Sequence, residues 1–327
     1  MPAHAIALTR PKEPLERIEL DPKEPGPGEV RLRIEACALG LRDWDVLTLD
    51  GVPRLPLIAG QEAAGRVEAV GTGVSLTVGQ RVAVTPLATT CAACPMCERG
   101  LERLCAKAQW HGFHRDGALT THGLFAAQHL LPIAEDLSAH QVACLAGSGW
   151  SALGALRLAG VGAGQQVAIY GAGGVGHLAI QIAKALGAGG VHAVEPDTDR
   201  QALAQSLGAS LGVPSGGVDV ALVSTPSTQA ITHAARALRR GGTLVLVGTS
   251  PTGRFDLSLA DTVFQGLTIR GSLLGTRTDL NEVIELHRRG ALRASVDSAP
   301  LDSAIERLWW LRDGGFVGRL VFDCASG

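Results

Sequence analysis

The alternation of hydrophobic and polar residues in the first part of the chain is that of short strands joined by turns. Apolar side chains at Val30, Leu32 and Ile34 alternate with charged ones, which is the period-two pattern of a half-buried strand. Proline and glycine clusters at residues 22–28 and 71–73 mark turns around it. The pattern predicts an antiparallel β domain, which a long loop between about Thr85 and Gly123 extends.

From about Ala139 the rhythm changes to helical segments that alternate with apolar strands. This alternation predicts an α/β domain with a doubly wound parallel sheet. The predicted strands are Val167–Tyr170, Val191–Val194, Val218–Ser224, Thr243–Val247 and Thr268–Gly271, and the helices between them include Gln201–Leu207 and Gln229–Leu238. We expect the tail, with a helix at Ala304–Leu311 and a strand at Gly318–Phe322, to return to the β domain. The predicted boundaries are residues 1–138 with 288–327 for the β domain and 139–287 for the α/β domain.

A glycine-rich turn follows the first strand of the α/β domain. It consists of Gly171, Gly173, Gly174, Val175 and Gly176, and a helical pattern begins at His177. Gly171 permits the tight turn, Gly173 lets the backbone approach a pyrophosphate, and Gly176 lets the helix pack closely on the strand. A pyrophosphate would then meet free N–H groups at the positive end of the helix. The pattern predicts dinucleotide binding, with a doubly wound sheet that binds no nucleotide as the alternative.

An acidic residue, Glu195, comes directly after the second strand of that domain. Its carboxylate is placed to accept hydrogen bonds from the adenosine ribose and to repel a 2′-phosphate. This predicts NAD(H) in preference to NADP(H). Arg200 follows shortly afterwards and is predicted to flank the adenosine.

Composition adds the broad class. The chain has 327 residues, of which 46% are hydrophobic, and a net charge of −2, which favours a globular protein of two domains acting on a small molecule. Nothing in the charge balance favours nucleic acid or an anionic membrane. No apolar run approaches the roughly 18 residues of a spanning helix, and no secretion signal is evident, so we expect a cytoplasmic location.

Four of the seven cysteines lie close together in the long loop. Cys91, Cys94, Cys97 and Cys105 have the spacing C-x2-C-x2-C-x7-C. Four thiolates close a tetrahedral shell around Zn²⁺ and leave no position open for substrate, which predicts a structural zinc. An iron–sulfur cluster and free thiols are the alternatives.

Several runs of residues together resemble the zinc-containing medium-chain alcohol dehydrogenase superfamily, over nearly the whole chain. These are residues 35–43 (EACALGLRD), residues 60–67 (GQEAAGRV), the four-cysteine loop, residues 123–126 (GLFA) and the glycine-rich turn. The resemblance implies a GroES-like β domain interrupted by a Rossmann domain, with hydride transfer in the cleft between them. It also implies a homodimer or homotetramer.

The chain departs from this family at the positions that usually hold a catalytic zinc. Those positions match Gly40, Gln61 and Gly147, and none of these side chains is a thiolate or imidazole. Cys37 and Cys144 are nearby, but they match non-ligand positions and are expected to be small buried residues. We therefore expect one structural zinc per chain and no catalytic zinc.

The proton relay of the family is altered as well. Arg42 stands where many members have a serine or threonine, and arginine does not release its proton near neutral pH. Loss of a dication would leave Asp43 and Glu62 with uncompensated negative charge, which is costly at low dielectric. Our hypothesis is that Arg42 either pairs with these acids or binds the substrate oxygen. A solvated Arg42 at the cleft rim is the alternative.

Further site residues are implied by the resemblance. Trp44, Trp110 and Trp150 match the substrate cleft, Ser151 matches a hydroxyl position beside the nicotinamide, and His111 and His114 are possible acids or bases. On the cofactor side, the matching residues are Val247, Gly248, Thr249, the Ser272–Leu274 segment and Arg319, which matches a basic position that reaches the pyrophosphate.

The sequence thus predicts an NAD(H)-dependent oxidoreductase that transfers hydride without a catalytic zinc. Oxidation of an ordinary alcohol is disfavoured without a Lewis acid that holds the alkoxide charge. An activated alkene, a quinone or a carbonyl is the expected substrate class. The alternatives are an alcohol or aldehyde dehydrogenase with a metal-independent or misaligned site, and a nucleotide-binding relative without catalysis.

Overall fold

The computed structural model describes residues 3–48, 51–313 and 315–325. They form two compact units, and the chain passes through the first, then the second, and then the first again. The β unit runs up to Gly147 and resumes at Val296, and the nucleotide unit covers Ser148–Ser295.

The secondary-structure elements follow in chain order. Up to Gly147 they are β1 (His4–Leu8), β2 (Glu16–Glu19), β3 (Glu29–Leu39), α1 (Leu41–Thr48), β4 (Leu57–Ile58), β5 (Glu62–Val70), β6 (Arg81–Val84), β7 (Leu87–Thr89), α2 (Pro95–Glu98), β8 (Gln109–Trp110), β9 (His122–Ala126), β10 (Leu131–Pro132) and α3 (Ala139–Cys144). The nucleotide unit contains α4 (Trp150–Leu158), β11 (Gln166–Tyr170), α5 (Gly176–Ala185), β12 (Gly190–Val194), α6 (Thr198–Ser206), β13 (Ser210–Leu211), β14 (Val218–Val223), α7 (Thr228–Arg236), β15 (Leu238–Leu246), α8 (Leu259–Gln265), β16 (Thr268–Gly271) and α9 (Arg277–Arg288). The returning chain forms β17 (Val296–Pro300), α10 (Ala304–Asp313) and β18 (Arg319–Asp323).

The main sheet of the β unit has the strand order β10-β6-β5-β3-β18-β17, and β9 pairs with the first half of β3. The two central pairings with β3 are antiparallel: Ala38 lies opposite Glu62 on β5, and Leu39 lies opposite Leu320 on β18. Antiparallel pairing places the end of one strand beside the start of its neighbours. The end of β3 therefore meets the starts of β5 and β18, and this register brings distant residues together.

The nucleotide unit has a parallel sheet with the order β13-β12-β11-β14-β15-β16. Chain order reverses on either side of β11, the point at which doubly wound sheets bind ligands beyond the carboxyl ends of their strands. Apolar strand interiors such as Val167–Ile169 are fully buried, because helices cover such sheets on both faces. The predicted α/β fold class, a β domain plus a Rossmann domain, is confirmed.

The unit boundaries fall later than the predicted residues 138 and 287. Helix α3 belongs to the β unit because it packs against β3 and β5 and buries Val142 and Cys144. A π-helical turn at Leu145–Gly149 then carries the chain into α4. None of the helices that the described residues form has the length and apolar character required to cross a membrane.

Candidate functional site

The four predicted zinc ligands are brought together in the β unit. The Sγ atoms of Cys91, Cys94, Cys97 and Cys105 all lie within 4.8 Å of one another. The Cys94–Cys97 and Cys91–Cys105 pairs are each separated by 3.6 Å and the Cys91–Cys97 pair by 4.0 Å. A tetrahedral Zn²⁺ with Zn–S bonds of about 2.3 Å sets its sulfur atoms roughly 3.8 Å apart. The loop thus fits a structural zinc.

A second polar cluster, which we call the strand-end cluster, lies where β3 ends and β5 and β18 begin. It consists of Gly40, Asp43, Glu62, Gly147 and Arg319. Arg319 is only 4% exposed, and its guanidinium donates a hydrogen bond to Glu62 Oε1 at 3.0 Å. A buried ion pair of this kind neutralises two charges that burial would otherwise penalise strongly.

Two of the positions expected for zinc ligands border this ion pair. A Cβ atom added at Gly40 would lie 2.7 Å from Arg319 Nη1, and one added at Gly147 would lie 2.4 Å from Glu62 Cδ. The missing side chains at 40 and 147 therefore leave room for the guanidinium and the carboxylate. The cluster fits an arginine–glutamate pair and offers no thiolate or imidazole to a metal.

Asp43 is buried beside Gly40, at the start of α1. Its Oδ2 accepts a hydrogen bond from the Gly40 N–H at 2.9 Å, while Oδ1 has no hydrogen-bond partner within the described part of the chain. Burial raises the pKa of Asp43 to about 6, and the Gly40 hydrogen bond and the charges of Arg319 and Arg42 offset this only in part. This carboxyl group can therefore hold a proton close to neutral pH.

Arg42, which we expected to pair with the acids or to bind the substrate oxygen, acts on Asp43 through its charge, which helps to lower the pKa of that carboxyl group. It is exposed, and its guanidinium carbon lies 5.6 Å from the centroid of the Trp110 ring, a cation–π contact. The charge beside Glu62 comes instead from Arg319, which was predicted to reach the pyrophosphate. Sequence reasoning missed this pair because its members are 257 positions apart and only the strand register joins them.

Gln61, the third expected ligand position, is 2% exposed, and its amide Nε2 has no partner among the residues described. The thiols of Cys37 and Cys144 are fully buried. Burial raises the pKa of both, that of Cys144 to about 12. Both are therefore protonated thiols at physiological pH when no metal is bound.

The predicted pocket residues have different surroundings. Trp150 is buried inside the nucleotide unit, where its indole N–H donates to the Thr276 carbonyl at 2.6 Å. Trp44 is half-buried against the core of the β unit, and Trp110 is half-buried under Arg42. Ser151 lies in the first turn of α4 and is partly exposed.

The two histidines of the long loop differ in burial, and only His111 is held neutral far from its ordinary pKa. His111 is 2% exposed and donates from Nδ1 to the Thr85 carbonyl at 2.8 Å. Burial lowers the pKa of His111 to about 4, so it stays neutral. Burial and the charge of Arg42 also lower the pKa of His114.

The glycine-rich turn has the conformation that the sequence predicted. Gly171 has φ of 88°, in the left-handed region that favours glycine. A Cβ atom at Gly176 would lie 1.7 Å from the Gly171 carbonyl oxygen, while one at Gly173 would meet nothing within 4 Å. The helix thus packs tightly at Gly176, and the backbone at Gly173 is open for a pyrophosphate. Gly174 and Val175 complete the turn before α5.

Glu195 follows β12 at the same carboxyl edge. Its Oε2 accepts from the Ala172 N–H at 2.7 Å and its Oε1 from the Asp197 N–H at 3.1 Å. The carboxylate is therefore fixed against the glycine-rich turn, and each oxygen retains a lone pair for a ribose hydroxyl. Arg200 lies in the first turn of α6, and its backbone N–H donates to the side chain of the N-cap residue Asp197.

The remaining predicted cofactor residues follow β15 and β16, also at the carboxyl edge of the sheet. Val247 and Gly248 donate their N–H groups to the Val223 carbonyl, and Ser272 donates to Leu246. Leu274 has φ of 53°, an uncommon conformation for a residue with a side chain. Backbone hydrogen bonds thus hold Val247, Gly248 and Ser272 in place at this edge.

Comparison with known protein families agrees with both units. Residues 26–135 match the model for the alcohol dehydrogenase GroES-like domain, and residues 174–289 match the model for zinc-binding dehydrogenases.

Individual relatives match along almost the whole chain. An alcohol dehydrogenase of Geobacillus stearothermophilus is 35% identical over 97% of this chain and 98% of its own. One from Moraxella sp. (strain TAE123) is 35% identical over 93% of this chain and 94% of its own. Among solved structures, the alcohol dehydrogenase of the archaeon Aeropyrum pernix superimposes with a TM-score of 0.90, at 27% identity, over 98% of this chain and 99% of its own.

Proposed function

We propose that this chain, which belongs to the zinc-containing medium-chain alcohol dehydrogenase superfamily, transfers hydride without a catalytic metal. It is an NAD(P)-dependent oxidoreductase of the alcohol dehydrogenase type. More specifically, we propose that its substrate is an activated alkene (for example an enone), a quinone or a carbonyl compound, which it reduces.

The observation that carries this proposal is the composition of the strand-end cluster. Where a Lewis acid would need sulfur or imidazole ligands, the chain has Gly40, Gln61 and Gly147, and a buried Arg319–Glu62 pair lies against two of these positions. Arginine keeps its positive charge at any physiological pH. The cluster thus combines a permanent cation with a carboxyl group, Asp43, whose pKa burial raises to about 6.

Activated alkenes suit such a cluster. A reduced nicotinamide bound at the glycine-rich turn would supply the hydride and would itself be oxidised. Hydride addition at the β-carbon of an enone moves the π electrons onto the conjugated oxygen, and the resulting enolate takes up one proton. Arg319, whose Nε–H has no partner among the described residues, stabilises the negative oxygen. Asp43 in its protonated form supplies the proton.

We also propose NAD(H) as the preferred nucleotide, on the position of Glu195 beside the glycine-rich turn. A carboxylate there repels the 2′-phosphate of NADP(H). Glu195→Ser should narrow the preference for NADH over NADPH about tenfold or more, measured as the ratio of kcat/KM values. Asp199→Ser, in the first turn of α6, is the matched control and should leave the ratio unchanged.

A substrate panel tests the reaction. Enones, quinones, aldehydes, ketones and primary and secondary alcohols are incubated with NADH or NAD⁺, and nicotinamide absorbance is followed. We expect kcat/KM for the activated alkenes or quinones to exceed that for alcohol oxidation by at least about 100-fold. Faster turnover of simple alcohols would contradict the proposal.

Alcohol oxidation is the second candidate, because the relatives named above are alcohol dehydrogenases. Its signature would be a second bound metal that is needed for turnover. Dialysis against a chelator, followed by assays with and without added zinc, separates the candidates. Hydride transfer without a catalytic metal should continue as long as the protein stays folded, whereas alcohol oxidation at a metal site should stop.

A further inference from the structure

His177, the residue that follows the glycine-rich turn, contacts the backbone at both nitrogen atoms of its ring. It is fully buried. Its Nδ1 lies 2.8 Å from the carbonyl oxygen of Gly173, and its Nε2 lies 3.2 Å from the backbone nitrogen of Ser295. One ring therefore bridges the turn that cradles the pyrophosphate and the last residue of the nucleotide unit.

The chemistry of the two contacts fixes the state of the ring. The Ser295 N–H is a donor, so Nε2 must accept, and the Gly173 carbonyl is an acceptor, so Nδ1 must carry the proton. Both bonds exist together only in the neutral Nδ1–H tautomer. The Gly173 carbonyl accepts a second bond, from the His177 backbone N–H at 3.1 Å.

One helical turn further on, Gln181 holds the same segment. Its Nε2 donates to the Arg293 carbonyl and its Oε1 accepts from the Arg293 N–H, each at 2.9 Å. Residues four apart lie on one face of a helix. That face of α5 thus binds residues 293–295, which immediately precede the return of the chain to the β unit at Val296.

We propose that His177 is a positioning residue that ties the pyrophosphate-binding turn to the Arg293–Ser295 segment, so that nucleotide binding and the order of this segment stabilise each other. The Nδ1 bond fixes the Gly173 carbonyl, and with it the orientation of the peptide units that receive the pyrophosphate. The Nε2 bond then holds the backbone N–H of Ser295 when the turn is ordered. Coupling of this kind is reciprocal.

The two hydrogen bonds of the His177 ring can be removed separately by substitution. The side-chain nitrogen of Asn occupies the place of histidine Nδ1, so His177→Asn keeps the bond to Gly173 and loses Ser295. The side-chain oxygen of Gln occupies the place of Nε2, so His177→Gln keeps Ser295 and loses Gly173. Gln181→Met is the matched control on the same helix face: it releases Arg293 and the His177 carbonyl, to which Gln181 Nε2 also donates at 3.1 Å, and it keeps the His177 ring.

Two measurements test the proposal. The first is the NADH dissociation constant, from fluorescence titration. We expect His177→Gln to weaken NADH binding about 5- to 10-fold, as loss of one hydrogen bond that orients the turn would do. His177→Asn keeps the Gly173 bond and loses the coupling to Ser295, so it should weaken NADH binding only about two- to threefold, and Gln181→Met should change it by less than about twofold.

The second measurement is hydrogen exchange of the peptide that contains residues 293–295, with and without NADH. In the wild-type protein NADH should slow exchange at the Ser295 amide, and in His177→Asn that slowing should disappear although NADH still binds. A purely structural role for His177 predicts equal weakening of NADH binding in both variants. That result, or wild-type exchange that NADH does not change, would overturn the proposal.

Discussion

The four-cysteine loop and the strand-end cluster belong to the same β unit, yet they differ in the source of their positive charge: the loop fits a zinc ion, and the cluster contains an arginine. The loop brings four sulfur atoms to tetrahedral spacing. The strand-end cluster has glycines where ligands are expected, and its cation is the guanidinium of Arg319. The loop is made of neighbours in sequence, so its function is local. The cluster depends on the register of three strands, so its function depends on the fold of the whole unit.

Removal of a cysteine of the loop should have the largest effect. Cys97→Ser removes one of four ligands, and because metal binding contributes directly to the stability of such loops, zinc should be lost and the melting temperature should fall by more than about 10 °C. Zinc content and calorimetry measure both. Cys144→Ala is the control, and it should keep its zinc; if it loses zinc as Cys97→Ser does, the assignment of ligands is wrong.

Removal of the buried cation comes next. Arg319→Met leaves the buried Glu62 carboxylate without its guanidinium, which should cost about 3–5 kcal/mol of unfolding free energy, and kcat should fall about 100-fold or more. The double variant Arg319→Met, Glu62→Met removes both charges. It should regain most of the stability and none of the activity. Recovery of activity together with stability would limit Arg319 to a structural role.

The pH dependence of activity and stability tests the role of Asp43 in the strand-end cluster. If its protonated form supplies the proton, the reductive kcat should fall as pH rises through about 6, and Asp43→Asn should abolish this dependence. The raised pKa also means that the folded state binds this proton more tightly than the unfolded chain does. This proton therefore contributes on the order of 3 kcal/mol to the free energy of unfolding. The contribution is complete below about pH 4 and is lost by about pH 6. Asp43→Asn should therefore gain in melting temperature relative to the wild type as pH rises over this range. A pH profile unchanged by the substitution would exclude Asp43 as the acid.

Arg42 should have the smallest effect. Its exposed cation–π contact with Trp110 is worth about 0.5–1 kcal/mol, so Arg42→Ala should change kcat by less than about threefold and leave the stability of the strand-end cluster intact. Steady-state kinetics and chemical denaturation check this. A loss as large as that of Arg319→Met would restore the first hypothesis, in which Arg42 binds the substrate oxygen.

The local motifs could be predicted from the sequence, and the long-range contacts could not. Gly171, Gly176 and the four cysteines act through neighbours a few residues away, so spacing alone identified them. The Arg319–Glu62 pair and the burial of Trp150 follow from tertiary packing, which spacing does not record. The pyrophosphate contact that the resemblance implies for Arg319 stays a prediction, and the pairing of β18 with β3 adds a contact with Glu62 that the sequence did not indicate.

The zinc content of the purified wild-type protein tests the central claim most directly. Elemental analysis after dialysis against zinc-containing and then metal-free buffer gives the number of zinc ions per chain. The composition of the two clusters predicts one, held by the four-cysteine loop, with NADH-dependent reduction intact. Two zinc ions per chain, with the second lost in parallel with activity, would contradict it.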